Sequence, residues 1–339
     1  NRCRRQRQMC IRDSANIIQA FFTIDPKMYD ESRNEQRIAI CPLPLYHIFA
    51  LTVHNFMLFH IGGKTVLITN PRDLKTFVSL MKKHKFHMIS GVNTLYEALL
   101  NYDGFKELDF SNLLMSLSGG MAALDTTARR WHEATKSVIW QAYGLTETSP
   151  LVSVNDYKQT EFTGSVGLPA AFTEIEIRDE DNNVLTETNA VGELCVRGPQ
   201  VMSGYWNSEV SGLDENNWFM TGDIARIDET NNIFIVDRKK DMIIVSGFNV
   251  YPNEVEAVVN EHPAVLECGC VGIEGEGSQE LVKVFIVLHE GQTLSEEEII
   301  SFCREELTAY KVPKHIEFIK EIPKTNVGKV LRRELKTGS

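Results

Sequence analysis

Thr146 and Glu147 stand side by side in Tyr143-Gly144-Leu145-Thr146-Glu147-Thr148, a string in which a strand-like run enters a tight turn. A hydroxyl next to a carboxylate suits a phosphate–Mg²⁺ site, because Mg²⁺ prefers a few hard oxygen ligands completed by phosphate oxygens. The plain alternative is an ordinary Thr/Glu helix start. Asp223 follows Thr221-Gly222 and the aromatic pair Trp218-Phe219. A carboxylate at a strand end accepts both hydroxyls of a ribose; an Asp beside Gly is also a common turn residue. Lys329 lies in a Gly-containing loop, Pro323 to Lys329. A mobile lysine there could neutralise a carboxylate and a phosphate together, or be an exposed tail lysine.

The elements that must hold these residues follow from periodicity. From Ile38 onward strand and helix patterns alternate. Ile38–Leu43, Thr65–Thr69, Met88–Gly91 and Leu113–Leu117 read as strands, while Leu74–His84 and Leu95–Leu100 have helical spacing. Such alternation implies a parallel sheet with helices on its faces and ligands at the carboxyl ends of the strands, where Gly119-Gly120 would fall. From about residue 165 to 237 short β-rich segments dominate: Glu174–Arg178, Gly192–Arg197 and Ile233–Val236. These suggest a small antiparallel subdomain or barrel. After the charged cluster Arg238-Lys239-Lys240-Asp241 comes a strand, Met242–Val245. A helix then starts at Pro252, Val284–Leu288 is a strand, and Ser295 and Glu298 form a capping box opening a helix to about Ala309.

The expected fold is therefore α/β. Residues 15–237 form a partial large N-terminal domain, a parallel αβα sheet plus a small β-barrel-like subdomain. Residues 238–241 are a hinge, and 242–339 a smaller, mobile α+β C-terminal domain. Residues 1–14 are basic, aperiodic and without an apolar signal core, and read as a non-native leader.

The 339 residues carry a formal net charge of −11, unevenly spread: both ends are basic and the body between them is acidic. That distribution argues against nucleic acid as the main partner. The basic C-terminal end suits an anionic ligand, though a solvated tail is the simpler reading. No run reaches the ~20 apolar residues of a membrane span, so any membrane contact would be peripheral. Seven cysteines without a CxxC pair or zinc-like spacing fit a reducing cytoplasm.

Taken together and in order, the strings YGLTE, TGD, DRKKDMI and NVGK resemble the adenylate-forming superfamily of acyl-CoA synthetases, luciferases and peptide-synthetase adenylation domains. Cys41 to Leu51, Leu67 to Asp73, Gly91 to Leu95, Gly192 to Met202 and Val245 to Glu254 look like the bacterial long-chain fatty acid–CoA ligases. The resemblance runs from about residue 38 to 336. It implies a fatty acid, ATP and coenzyme A as substrates, with Mg²⁺, in two steps: acyl-AMP formation, then transfer of the acyl group to the CoA thiol. Thr146 would contact phosphate and Glu147 would hold Mg²⁺. Tyr143 and Gly144 would pack on adenine and acyl-adenylate, and Gly119, Gly120 and Met121 would form the neighbouring loop. Asp223 would bind the ribose, with Arg238 beside it. Lys329 would bridge carboxylate and α-phosphate in the first step. His47 would stand beside the acyl carboxylate, unless it is a packed core histidine. Leu51 would gate the acyl tunnel, with Val92, Leu95 and Leu99 as lining or plain core. The small domain would swivel at Lys240, presenting Lys329 in one pose and the Ser246-Gly247-Phe248 loop in the other. An acid of medium length or an aryl acid is an alternative substrate, and a non-catalytic nucleotide-binding fragment of the fold is a further one. The resemblance also allows a homodimer and a cytoplasmic enzyme touching the inner face of the membrane.

The family's Gly/Ser/Thr-rich phosphate loop is not found ahead of Ile38. This polypeptide is therefore expected to be a fragment that adenylates poorly or not at all.

Overall fold

The computed structural model describes residues 35–205, 211–275, 280–325 and 329–337. The suggested leader, residues 1–14, lies outside them. The chain divides into two compact units. One runs through Thr221 and includes Arg226–Phe234; the other comprises Gly222–Ala225 and the chain from Ile235.

The first unit is built on seven strands: β1 (Ile38–Cys41), β2 (Lys64–Leu67), β3 (Met88–Gly91), β4 (Met115–Gly119), β5 (Ile139–Gly144), β6 (Leu151–Val154) and β7 (Leu168–Pro169). They lie in the order β2-β1-β3-β4-β5-β6-β7. The first five pair in parallel, as expected, and the last two join antiparallel. The sheet is covered on both faces, so its inner strands carry apolar residues in both directions. Ala39, Met88, Met115, Leu117 and Trp140 face one core with Val53, Met57 and Leu58. Ile40, Ile89 and Ile139 face the other, with Phe77, Met81, Tyr96, Leu99 and Trp131.

Helix α1 (Ile48–Ala50) runs into a π-helical stretch, Leu51–Met57, and then into α2 (Leu58–His60). On the other side lie α3 (Leu74–Met81), α4 (Asn93–Leu100) and α5 (Asp125–Thr135). Asp73 starts α3 by accepting from the Thr76 amide at 3.1 Å, supplying a partner that helical geometry leaves missing. Burying a ring such as Phe77 or Trp131 completely contributes about 2–3 kcal/mol each. The polar edges of the rings are satisfied: Trp131 Nε1 donates to Ser116 Oγ at 2.9 Å, and Tyr96 Oη to the Leu117 carbonyl at 2.8 Å.

The β-rich segment forms a five-stranded sheet of β8 (Glu174–Arg178), β9 (Val184–Leu185), β10 (Gly192–Arg197), β11 (Phe219–Ile227) and β12 (Ile233–Arg238), in the order β12-β11-β10-β8-β9.

The second unit holds a hairpin, β13 (Ile243–Val245) and β14 (Phe248–Val250). It also has a three-stranded sheet of β15 (Val265–Glu274), β16 (Glu280–Leu288) and β17 (His315–Phe318). Its helices are α6 (Pro252–Glu261), α7 (Glu296–Glu306) and α8 (Arg332–Thr337). Alternation sorts the sheet's two faces. Cys268, Cys270, Val284 and Ile286 pack with Val255, Val259 and Ile299, whereas Val271, Phe285 and Val287 pack with Ile322 and Leu335. The Ser295–Glu298 capping box is present: Ser295 Oγ accepts from the Glu298 amide at 3.2 Å, and Glu298 Oε2 accepts from the Ser295 amide at 2.8 Å. That helix ends at Glu306, short of the expected Ala309, because Leu307 turns to extended backbone and buries in the core.

Candidate functional site

β5 ends in a bulge between Tyr143 and Gly144, and the chain turns at once into a single 3₁₀ turn, Thr146–Thr148. Two things hold the turn. The buried Thr148 hydroxyl donates to the Pro150 carbonyl at 2.7 Å, and the Leu145 amide donates to the same carbonyl at 3.0 Å. Gly144 is required where the chain doubles back, since a Cβ there would stand 1.9 Å from Pro150 O. Thr146 and Glu147 are thus carried on a pinned turn, each half-buried.

β4 and β5 are adjacent and parallel, with Gly119 opposite Ala142. Gly119, Gly120 and Met121 therefore leave the sheet next to Tyr143 and Gly144. Gly120 adopts φ +87°, a conformation that suits glycine. Helix α1 reaches the same place: a Cβ on Gly119 would meet the Phe49 ring at 3.1 Å. His47 starts this helix, its Nδ1 accepting from the Phe49 amide at 3.3 Å. It is half-buried, whereas His54 is 2% exposed. The strand ends thus bring together Gly119, Gly120, Met121, Tyr143, Gly144, Thr146 and Glu147, with His47 two residues from Phe49.

Sequence reasoning missed Tyr205. Its Oη donates to Glu147 Oε1 at 3.1 Å, and the Met202 amide donates to the Glu147 carbonyl at 2.8 Å. Burial first, then the Glu147 charge, pushes the Tyr205 phenol up to about 12. The two residues are 58 apart, so no local spacing signals the contact. Leu95 and Leu99, suggested as tunnel lining or core, pack in the core cluster around Tyr96 and Trp131.

Asp223, Arg238, Gly247 and Lys329 belong to the second unit. Asp223 is 3% exposed and pairs with Arg238, Nε to Oδ1 at 2.9 Å. Gly247 (φ +84°) and Ser246 (φ +51°) form the two-residue connection of the β13–β14 hairpin, where positive φ at both positions matches the strand twist. Lys329 is tied to Thr325: its amide donates to Thr325 Oγ1 at 3.1 Å and its carbonyl accepts from the Thr325 amide at 2.8 Å, while Lys324 and Val330 form an antiparallel bridge.

Among the described residues no three or more His, Cys, Asp or Glu side chains converge as a metal cage. Glu147 with Thr146 offers one carboxylate and one hydroxyl. That donor set fits Mg²⁺, which completes its octahedron with water and substrate phosphates.

A parallel sheet with glycine-rich strand ends beside a pinned Thr–Glu turn, accompanied by a separate smaller unit, defines an α/β fold of the kind that takes ligands at the carboxyl ends of its strands. Residues 9–206 match the AMP-binding enzyme family and residues 254–329 the AMP-binding enzyme C-terminal domain; the chain belongs to this family. It is 48% identical over 324 residues to a long-chain-fatty-acid–CoA ligase of Escherichia coli O157:H7, covering 95% of this chain and 57% of the relative. A ligase of the same name from Yersinia pestis is 50% identical over 301 residues, covering 88% and 53%. The chain thus spans somewhat over half the length of these relatives. ATP-bound MatB from Rhodopseudomonas palustris superposes with a TM-score of 0.87 at 27% identity, covering 96% of this chain and 63% of that one. The o-succinylbenzoate CoA synthetase MenE of Bacillus subtilis, in complex with its acyl-adenylate, superposes at 0.82 and 29%, covering 97% and 65%.

Proposed function

We propose that this chain carries the adenylating and thioesterifying machinery of a long-chain fatty acid–CoA ligase. The reading rests above all on the Thr146–Glu147 turn pinned beside Gly119–Met121 at the carboxyl ends of two adjacent parallel strands. In the first step a fatty carboxylate oxygen attacks the α-phosphorus of ATP, forming acyl-AMP and expelling pyrophosphate. In the second the CoA thiolate attacks the acyl carbon, forming the thioester and expelling AMP. Each step gathers negative charge, so cations and fixed dipoles aimed at it supply most of the rate.

In this reading Thr146 donates to a phosphate oxygen, and Glu147, steadied by Tyr205, holds Mg²⁺. The ion, when bound, neutralises charge on the phosphates. Gly119 to Met121 and Tyr143-Gly144 present backbone and ring surface to adenine and the acyl-adenylate. Asp223 accepts the ribose hydroxyls, its orientation fixed by Arg238. Lys329 neutralises carboxylate and α-phosphate during adenylation, His47 lies by the acyl carboxylate, and Gly247 allows pantetheine close passage in the second step.

A medium-chain acid is the second reading, favoured by 32% identity over 317 residues to a rat mitochondrial medium-chain acyl-CoA ligase. The cytoplasm is the proposed compartment: the five described cysteines, Cys41, Cys195, Cys268, Cys270 and Cys303, are all unpaired and buried, as reduced thiols are. Among the described residues no helix is long and apolar enough to cross a membrane, and a peripheral contact remains part of the reading.

The test pairs calorimetric binding of a non-hydrolysable palmitoyl-adenylate analogue with palmitate-dependent ATP–pyrophosphate exchange across acid lengths. Binding together with exchange that, however weak, is greatest for acids of about 16 carbons and lost in Lys329→Ala supports the reading. Neither binding nor exchange with any acid overturns it, and a maximum at shorter acids selects the second reading.

A further inference from the structure

We propose that Arg332 is a positioning residue for Lys329, clamping the paired segments that hold Lys329 to the open edge of the three-stranded sheet. The proposal rests on the reading that Lys329 serves adenylation.

β15 is the outer strand of the β15-β16-β17 sheet. Cys270, midway along it, pairs with Val284, yet both its backbone polar groups are taken from the open side. Its amide donates to Glu256 Oε1 at 2.8 Å, and its carbonyl accepts from Arg332 Nε at 3.2 Å. Glu256 and Arg332 also bond to each other, Nη2 to Oε1 at 2.7 Å. The ion pair therefore docks on the strand edge as a neighbouring strand would, one donor and one acceptor in register.

The same guanidinium reaches two more segments. Nη2 donates to Asn253 Oδ1 at 2.8 Å, in the first turn of α6, and Nη1 stands 3.6 Å from Asp241 Oδ2. Asn253 in turn donates its amide to Asp237 Oδ2 at 2.7 Å and its side-chain amide to the Val236 carbonyl at 3.1 Å. Burial pushes the Arg332 guanidinium down, but Glu256 and Asp237 outweigh it, so it stays charged. One fork thus joins α6, β15, the 237–241 segment and the start of α8. A planar five-donor group suits this task, and an ammonium does not replace it.

Arg332 follows Lys329 by three residues, so their Cα atoms lie within about 10 Å of each other along the chain. Between them Val330 bridges Lys324, and the Leu331 amide donates to the Pro323 carbonyl at 2.8 Å. The helix that begins at Arg332 has six residues, too few to hold itself in water. Its seat is Leu335, packed in the core with Val271 and Ile322, and the Arg332 fork. Without the fork, Glu256 and the Cys270 carbonyl lose a buried partner, and the segment bearing Lys329 loses its register on the edge.

The experiment compares the wild-type chain with Arg332→Met and Arg332→Lys. Lysine-by-lysine acetylation rates are read by mass spectrometry under native conditions, beside the two half-reactions. In R332M the rate at Lys329 is expected to change about threefold or more, the range of a modest coupling. Lys283, paired in the same unit with Glu317 at 2.7 Å, and Lys314, exposed just before β17, should hold their rates. Adenylation should fall about tenfold, with thioester formation from supplied palmitoyl-AMP unchanged and R332K intermediate. An unchanged Lys329 rate, or equal changes at all three lysines, overturns the proposal. So does unfolding of both variants, which would make Arg332 a stability staple alone. If Lys329→Ala leaves adenylation intact, the role of Lys329 fails, while the labelling still judges the clamp.

Discussion

The Tyr205 hydroxyl meets the Glu147 carboxylate at 3.1 Å across 58 residues of chain, so the proposed Mg²⁺ ligand is oriented by a donor from outside its own turn. Tyr205→Phe keeps the ring and removes the bond. About 1 kcal/mol of stability should be lost, at the lower end for a bond to a charged group because the pair is only half-buried. The Mg²⁺ concentration for half-maximal pyrophosphate exchange should rise several-fold. The alkaline limb gives a second reading. The folded phenol is raised from 10.0 to about 12, so its stabilising contribution is complete below pH 10 and is lost as pH climbs through about 12. Ultraviolet titration of the variant should lose amplitude from the late-ionising range near pH 12; a loss at the ordinary range near pH 10 would contradict this contact.

Asp223→Asn should raise the KM for ATP about tenfold to a hundredfold with a smaller effect on kcat. The substitution weakens ribose binding and removes the charge paired with the Arg238 guanidinium, at a stability cost of about 1 kcal/mol or less because that guanidinium stays partly solvated. Equal kinetic constants for the two proteins would remove Asp223 from the nucleotide site.

His54 predicts acid sensitivity. It lies 2% exposed on the π-helical stretch, and among the described residues neither ring nitrogen has a hydrogen-bond partner. Burial lowers its pKa from 6.5 to about 3. The unfolded chain therefore takes up a proton below pH 6.5 that the folded one refuses. Stability falls from there toward pH 3 by about 1.4 kcal/mol per unit. His54→Leu removes both orphan nitrogens from an apolar environment. Urea unfolding at pH 7 and pH 5 should show the variant as stable or more so, with a smaller loss between the two pH values. A variant with the wild-type acid slope would exclude His54 as the cause.

Gly144→Ala should damage the site locally. The added Cβ would stand 1.9 Å from Pro150 O, which the Thr148 and Leu145 bonds hold in place. The turn must shift, and a loss of about 2 kcal/mol or more is expected. Nucleotide binding should fall further than stability alone explains, as calorimetry beside thermal melting would show.

The sheet was largely legible because its signals are local. Strands of four to six residues buried on both sides leave apolar runs, and Ile38, Met88 and Met115 fall where such runs were expected. The Pro252 start and the Ser295 box are short-range too, since a helix end is satisfied by residues within three positions. The antiparallel addition of β6 and β7 was not legible, because pairing direction depends on how the chain returns.

By itself the sequence determined which groups are available and in what order: Thr146 and Glu147, then Asp223 and Arg238, then Lys329, set into alternating strands and helices. Tertiary structure alone decided that Tyr205 steadies Glu147, that the His54 ring is buried without a hydrogen-bond partner among the described residues, and that Arg332 reaches Glu256 across 76 residues. Periodicity states which way a residue faces within its own element. Which distant side chain meets it is set by sheet order and helix packing, and those belong to the folded chain as a whole.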